Sequence, residues 1–336
     1  VNSHLAKKYA VSNKRVANLQ PYFRKCMMYQ QRFNPLSKFA LLLCLCGAGI
    51  ILSSIVTGLV GNAVLHTDLK NLAAELMKPE NVQLSRTLQV ITSFLIMAMP
   101  ALAMGRITGE NPIQQLGFRA QGNAFQTGVV ILMVIAGFLL SGSLGELNKL
   151  IPIPQSAATY FKGLEDNYNK QVMSMGSMRS AADYFYSLIV LALVPAIFEE
   201  MLFRGALQQI VVSGTRSAFW GILITSIIFS AIHISYYGFL PRLFLGMMLG
   251  YIFYYSKNIW MNIAAHFLNN AYGLTGMYLL SREGKLTPEA MNETLPLYYG
   301  LIGAVIVYFL FVAFKKESEK LLLNHGITNN ANIEHI

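Results

Sequence analysis

Five ionisable side chains stand in apolar runs that should carry only leucine, valine and their like. They are Glu199, Glu200 and Arg204 in FEEMLFRGAL, His233 in FSAIH and His266 in HFLNN. A charge at the centre of a membrane helix costs roughly 2.5–3.5 kcal/mol on insertion scales, so each needs a partner or a task. Helical spacing sorts them. Glu200 and Arg204 are four apart and share a face, so an ion pair that neutralises both is expected. Glu199 points about 100 degrees away and is left without that partner. An acid with no adjacent cation in apolar surroundings can take and return a proton, as a general base must. Pro195, four residues earlier, frees a backbone carbonyl and should kink the helix just before the acids.

The other two elements repeat the spacing. Phe229 and His233 are four apart, an aromatic followed by an imidazole on one face. His266 and Asn270 also share a face, whereas Asn269 points elsewhere. Each has a structural reading: ExxxR as a packing network, a lone histidine as a satisfied core residue. Three stretches that each carry a costly exception call for a common reason, and proton transfer supplies one. Ser230, beside the second element, faces away from His233, and no hydroxyl or thiol nucleophile is required. Two histidines and a glutamate, Glu199, His233 and His266, are also suitable ligands for a catalytic zinc with one open position. No HExxH helix is present, and a Glu–Glu pair tied to arginine is a poorer zinc site than three independent ligands. The metal-free glutamate mechanism is therefore favoured, with zinc as the alternative.

The elements that must position these groups are membrane helices. Of 336 residues, 54% are hydrophobic and 12% charged, too apolar for an ordinary soluble domain. Uncharged stretches predict eight spans near 39–65, 87–105, 124–145, 184–212, 217–236, 239–256, 259–280 and 295–314. They are long enough for helices and lack the alternation of barrel strands; the fifth to seventh have such short connections that re-entrant or tilted helices would read the same. The expected fold is an all-α polytopic membrane bundle. DLKNLAAELMKP, with Leu69, Leu72, Ala73 and Leu76 on one face, and YFKGLEDNYNKQVM, with Tyr160, Leu164, Tyr168 and Val172, read as amphipathic helices resting on the bilayer surface.

The net charge of +10 is not laid out as a nucleic-acid surface. Lys7, Lys8, Lys14, Arg15, Arg24, Lys25, Arg32 and Lys38 precede the first span, and Lys315, Lys316 and Lys320 follow the last, which predicts both termini on the cytoplasmic side. The first 38 residues do not read as a signal peptide. Cys26, Cys44 and Cys46 have neither disulfide nor zinc spacing. The chain divides into a basic cytoplasmic segment (1–38), N-terminal transmembrane and interfacial helices (39–180), a catalytic transmembrane core (181–314) and a charged tail (315–336).

Glu199-Glu200-x-x-x-Arg204, Phe229-x-x-x-His233 and His266-x-x-x-Asn270, in this order on successive helices, resemble the signature of the CAAX protease and bacteriocin-processing family, also called the ABI family of intramembrane proteases. The resemblance spans roughly residues 180–280, includes GMMLG at Gly246–Gly250, and points to the type II CAAX prenyl endopeptidases. It implies peptide-bond hydrolysis in a membrane, on a membrane-anchored or lipid-modified peptide or protein. Glu199 would activate a water that His233 also holds, His266 and Asn270 would stabilise the oxyanion, and Glu200, Arg204 and Phe229 would be structural or auxiliary. The implied setting is a multi-pass protein of a bacterial cytoplasmic membrane whose partners are the bilayer and its substrate, with no nucleic acid. Competing readings are a non-enzymatic immunity or partner-binding protein, and a proton-coupled transporter, against which stands the lack of inverted repeats.

Overall fold

The computed structural model describes residues 33–324 except 121, 177, 179 and 292. The basic residues up to Arg32, together with Cys26, His4, His325 and His335, lie outside the described residues. Every regular element among those described is a helix. Asn34 accepts a hydrogen bond from the Ser37 amide and so caps α1 (Pro35–Leu65), with proline at its first position. There follow α2 (Leu69–Leu76), α3 (Pro79–Ile107), α4 (Pro112–Gln115), α5 (Ala124–Leu150), α6 (Gln155–Met175) and α7 (Ala181–Thr215). The chain continues with α8 (Ala218–Ala231), α9 (Phe239–Ser256), α10 (Ile259–Arg282), α11 (Pro288–Met291) and α12 (Leu297–Asn324).

Five of these, α1, α3, α5, α7 and α12, are long and apolar enough to cross a membrane. The segments expected as spans five to seven are helical but do not meet the same measure. α8 is apolar yet only 14 residues long. α9 carries Arg242 in its first turn, and α10 carries Asn262, His266, Asn269 and Asn270. The long helices also overrun the uncharged windows: α3 begins at Pro79, ahead of Arg86, and α12 continues through Lys315 and Lys320 to Asn324. Charged residues at a helix end can reach water while the backbone stays helical.

Two prolines shape the helices that matter most. Pro195 and Pro100 each occupy the second residue of an α segment that directly follows a π-wound turn, Leu188–Leu193 and Phe94–Ala98. The Val194 amide bonds to the Ile189 carbonyl and the Met99 amide to the Phe94 carbonyl, each five residues back. Proline has no N–H and its ring collides with the carbonyl four residues back, so widening the preceding turn accommodates it. A further π-wound stretch, Met201–Gln208, follows Glu200. The acids therefore sit on a short α segment between two wide turns.

Glycines bring α8 and α9 together. A Cβ on Gly246 would lie 2.9 Å from Ser226 Cβ, and one on Gly250 2.6 Å from Ile222 Cγ2, the close approach that small residues permit between membrane helices. Gly246→Val should force these helices apart and lower stability by about 1–3 kcal/mol, read as a fall in detergent melting temperature. An unchanged melt would show that the contact is not tight.

An ion pair that sequence reading missed ties the other end of the bundle. Arg86, fully buried, pairs with Asp183 at the start of α7 and donates from Nε and Nη2 to the Met175 carbonyl at the end of α6. The face of α6 also differs from expectation. Tyr160 is 65% exposed, while Glu165 and Asn169 are buried at 7% and 5%. Ser235 donates to Glu165 Oε2 at 2.8 Å, Phe161 stacks on Tyr236 at 4.8 Å, and Arg242 donates to Tyr168 at 3.1 Å. Polar partners in the segment after His233, rather than apolar periodicity alone, turn this helix inward, so it covers protein and not merely bilayer.

Candidate active site

The site is assembled around one buried carboxylate. Glu200 Oε1 accepts from Arg204 Nη1 at 2.9 Å and from His266 Nδ1 at 2.8 Å, and Oε2 accepts from Asn262 Nδ2 at 3.2 Å. The expected i,i+4 pair of Glu200 and Arg204 is present, but it is part of a larger network. Arg204 Nη2 donates to the Gly246 carbonyl at 3.2 Å, and Asn262 Nδ2 donates to the Leu249 carbonyl at 2.6 Å. Helices α7, α9 and α10 are thus fastened at one point, and Glu200, Arg204 and Asn262 are all at most 1% exposed. Charged groups at this depth persist only when hydrogen-bonded on most sides.

His266 lies between the two adjacent acids. A carboxylate can only accept, so Nδ1 carries a proton toward Glu200, and Nε2 is turned to Glu199 Oε2 at 3.6 Å. Glu199 is therefore not isolated, as helical geometry alone suggested: its neighbour comes from α10. Its side chain is 14% exposed, and its buried Oε2 makes no hydrogen bond.

His233 follows α8 in a turn. Its Nδ1 donates to the Phe229 carbonyl at 2.7 Å, which leaves the Nε2 lone pair to face elsewhere. Glu199, His266 and Arg242 all lie within electrostatic reach of its ring. Phe229, 1% exposed, is the apolar hub. Its ring meets His233 at 5.1 Å, His266 at 5.8 Å and Phe203 at 5.2 Å, each near edge-on, and the Arg204 guanidinium lies 4.8 Å from its centroid. The sequence expectation that Phe229 and His233 act as one face holds in these contacts.

Asn270 is placed less tightly. Its amide is 3.4 Å from the Ala192 carbonyl, within the π-turn ahead of Pro195, and Asn269 Nδ2 is 3.4 Å from Asn270 Oδ1. Ser230 donates to the Phe239 carbonyl at 2.7 Å, in keeping with its expected orientation away from His233. Asn262 was the member of the network not foreseen. The signal was present, since Asn262, His266 and Asn270 recur every four residues along α10.

Among the described residues no group of three His, Cys, Asp or Glu side chains is arranged to hold a metal ion. His266 Nδ1 is committed to Glu200, and its Nε2 faces Glu199. A cavity of about 620 Å³ lies beside α3 and α4, lined by Phe94, Leu102 and Arg106 among others, and touches none of these groups.

Residues 181–272 match the family described as Rce1-like, Type II CAAX prenyl endopeptidase Rce1-like. This segment is similar to the CAAX protease family. The matched stretch runs from the first residue of α7 into α10 and contains every CAAX-protease motif position named above, Glu199 through Asn270. No curated protein and no solved structure matches the chain. Five long apolar helices among the described residues are consistent with a multi-pass membrane protein.

Proposed function

We propose that the chain is an intramembrane endopeptidase that hydrolyses a peptide bond of a membrane-anchored or lipid-modified substrate with a water activated by Glu199. The observation that carries this reading is the buried, unbonded Glu199 Oε2 facing His266 Nε2 at 3.6 Å. Glu199 takes one proton from water while the Nε2 lone pair of His233 accepts the other hydrogen and orients the oxygen. The new C–O bond turns the carbonyl oxygen into an oxyanion, which His266 and the Asn270 amide stabilise. The Asn270 contact at 3.4 Å is long enough for the amide to exchange its partner at little cost. Glu199 then returns its proton to the departing amine as the C–N bond breaks. Glu200 holds the ring of His266 in position through Nδ1, and Arg204 and Asn262 hold Glu200.

The metal-free glutamate mechanism is the one proposed, with zinc held by Glu199, His233 and His266 as the alternative. Dialysis against a strong chelator is expected to leave the cleavage rate of a membrane-anchored reporter peptide within about twofold. Loss restored only by added zinc would install the zinc mechanism instead.

In this reading the chain makes eight passes, with α9 and α10 crossing and the segment after α8 completing the pass that this short helix begins. Contacts support the alternation: Lys38 pairs with Glu110, Asn123 bonds Glu317, the Ile259 amide bonds the Gly117 carbonyl, and Gln209 bonds the Gln115 carbonyl. That end carries Lys38, Arg106, Arg119, Arg216, Lys257, Lys315, Lys316 and Lys320 against Glu110, Glu317 and Glu319. The excess of positive charge supports a cytoplasmic position for it.

A further inference from the structure

The cavity of about 620 Å³ beside α3 and α4 takes no part in the proposed chemistry. Its apolar wall is Phe94, Leu102 and Ala103 of α3 with Ile113 of α4, and Arg106, Glu110 and Asn111 line its polar end. Phe94 and Arg106 stand twelve residues apart on α3, about 18 Å along a helix axis. That is close to one leaflet of a hydrocarbon core about 30 Å thick. Arg106 lies in the last turn of α3, at the end of the bundle that carries Lys38. The polar groups beside it are already engaged. Glu110, one turn further on, pairs with Lys38 at 2.9 Å, and Asn111 Oδ1 accepts from the Ile113 and Gln114 amides. Among the described residues no carboxylate comes within ion-pair distance of Arg106.

Both walls of the groove bear on α7. Phe94 meets Phe198, the residue before Glu199, edge-on at 5.7 Å. On the other side α4 is wedged in place: a Cβ on Gly105 would lie 2.9 Å from Pro112 Cα, and one on Gly205 2.7 Å from Leu116 Cδ2. Gly205 directly follows Arg204, and Gln209 Nε2 adds a hydrogen bond to the Gln115 carbonyl at 2.8 Å. Whatever sets the width of the groove therefore acts on α7 both before and after its two acids.

A groove with an apolar wall one leaflet long and a cation at the surface end has the outline of an anionic lipid. Basic pockets between membrane helices take lipid headgroups, and the planar guanidinium fork holds phosphate oxygens in pairs. A phosphodiester brings the charge that Arg106 lacks, whereas the thioether-linked chain of a substrate brings none. We infer that the α3–α4 groove holds one anionic phospholipid, with its phosphate on Arg106 and a chain running to Phe94, and that the bound lipid steadies the segment of α7 that carries Glu199 and Glu200. The inference goes beyond the peptidase reading, and its test involves no cleavage.

The full chain, stripped of lipid in dodecyl maltoside, is titrated with phosphatidylglycerol and with phosphatidylcholine of the same chains, and native mass spectrometry counts the bound lipid. One phosphatidylglycerol should bind about fivefold tighter than phosphatidylcholine, the attraction of one arginine for an anionic lipid. Arg106→Gln should bring it down to the affinity of phosphatidylcholine, and Arg106→Lys should keep part of the preference. Arg119→Gln, at the same end of the bundle, should leave the preference intact. Ala103→Trp, which fills the groove, should abolish the tight phosphatidylglycerol site. Amide hydrogen exchange at residues 198–208 should slow about threefold with phosphatidylglycerol and not with phosphatidylcholine. Equal or undetectable binding of the two lipids overturns the proposal. So does a loss in Arg119→Gln as large as that in Arg106→Gln, which would reduce the effect to net charge. Displacement by glycerol phosphate, the headgroup without chains, would make the ligand a soluble phosphate, and displacement by an S-alkyl peptide without phosphate would give the groove to a substrate chain. Either result overturns the phospholipid. Selective binding with exchange unchanged at 198–208 overturns the link to α7.

Discussion

Glu199→Gln is expected to lower the turnover of a membrane-anchored peptide by about 10²–10⁴-fold, the usual contribution of a positioned general base. The substitution keeps the volume and the partial exposure of the side chain, and it removes an acid whose buried oxygen faces an imidazole without a hydrogen bond. Nothing else in the network leans on that oxygen, so the melting temperature in detergent should stay within a degree or two. The combination discriminates between functions. A partner-binding or immunity role predicts an unchanged phenotype in this variant, as does a scaffold that keeps the polar cluster only for packing. A transporter would reveal itself through proton-gradient-dependent flux in proteoliposomes. Full proteolytic activity in Glu199→Gln would remove the glutamate mechanism at once.

Changes at Glu200 and Arg204 should act in the opposite way, on stability first. Glu200→Ala leaves the Arg204 guanidinium, 1% exposed, without its carboxylate, and it also strips His266 Nδ1 and Asn262 of their acceptor. Breaking a buried pair from one side typically costs about 3–5 kcal/mol. Arg204→Ala should cost a similar amount, since it opens the contact with Phe229 as well as the ion pair. The double variant Glu200→Leu with Arg204→Met removes both charges and keeps the volume, so much of the stability should return. Activity should not, because the His266 ring loses the carboxylate that fixes it. Thermal melts and turnover measured side by side test this. A double variant that recovers both would reduce Glu200 to a packing residue; one that recovers neither would mean that the network cannot be replaced by apolar contacts.

Much of this was legible because membrane interiors tolerate so few ionisable groups. Glu199, Glu200, Arg204, His233 and His266 stood out by residue type alone, and spacings of four assigned the Glu200–Arg204 pair and the Phe229–His233 face before any coordinates. What the sequence hid has identifiable causes. Arg86 sits at the head of α3, just outside an uncharged window, so its burial against Asp183 left no trace in hydropathy. Asn262 is neutral and did not register as an exception, although its spacing matched His266. The π-wound turns around Glu199 and Glu200 are invisible to an analysis that assumes 3.6 residues per turn. They help explain why adjacent acids both meet one imidazole. The face of α6 was misjudged because its partners are a serine, a tyrosine and an arginine rather than an apolar stripe.

The shortness of α8 sets a depth gauge. Its 14 residues rise only about 20 Å, against a hydrocarbon thickness of about 30 Å. A helix of that length starting at one surface stops about 10 Å short of the other. His233, directly after it, therefore lies at the floor of a notch rather than at the rim. An extended chain advances about 3.3 Å per residue, so roughly three residues separate a peptide anchored at the far surface from that floor. The reach of a substrate would then be governed by how many residues it can uncoil from its anchor, and lengthening α8 by one turn should move the accepted bond toward the anchor.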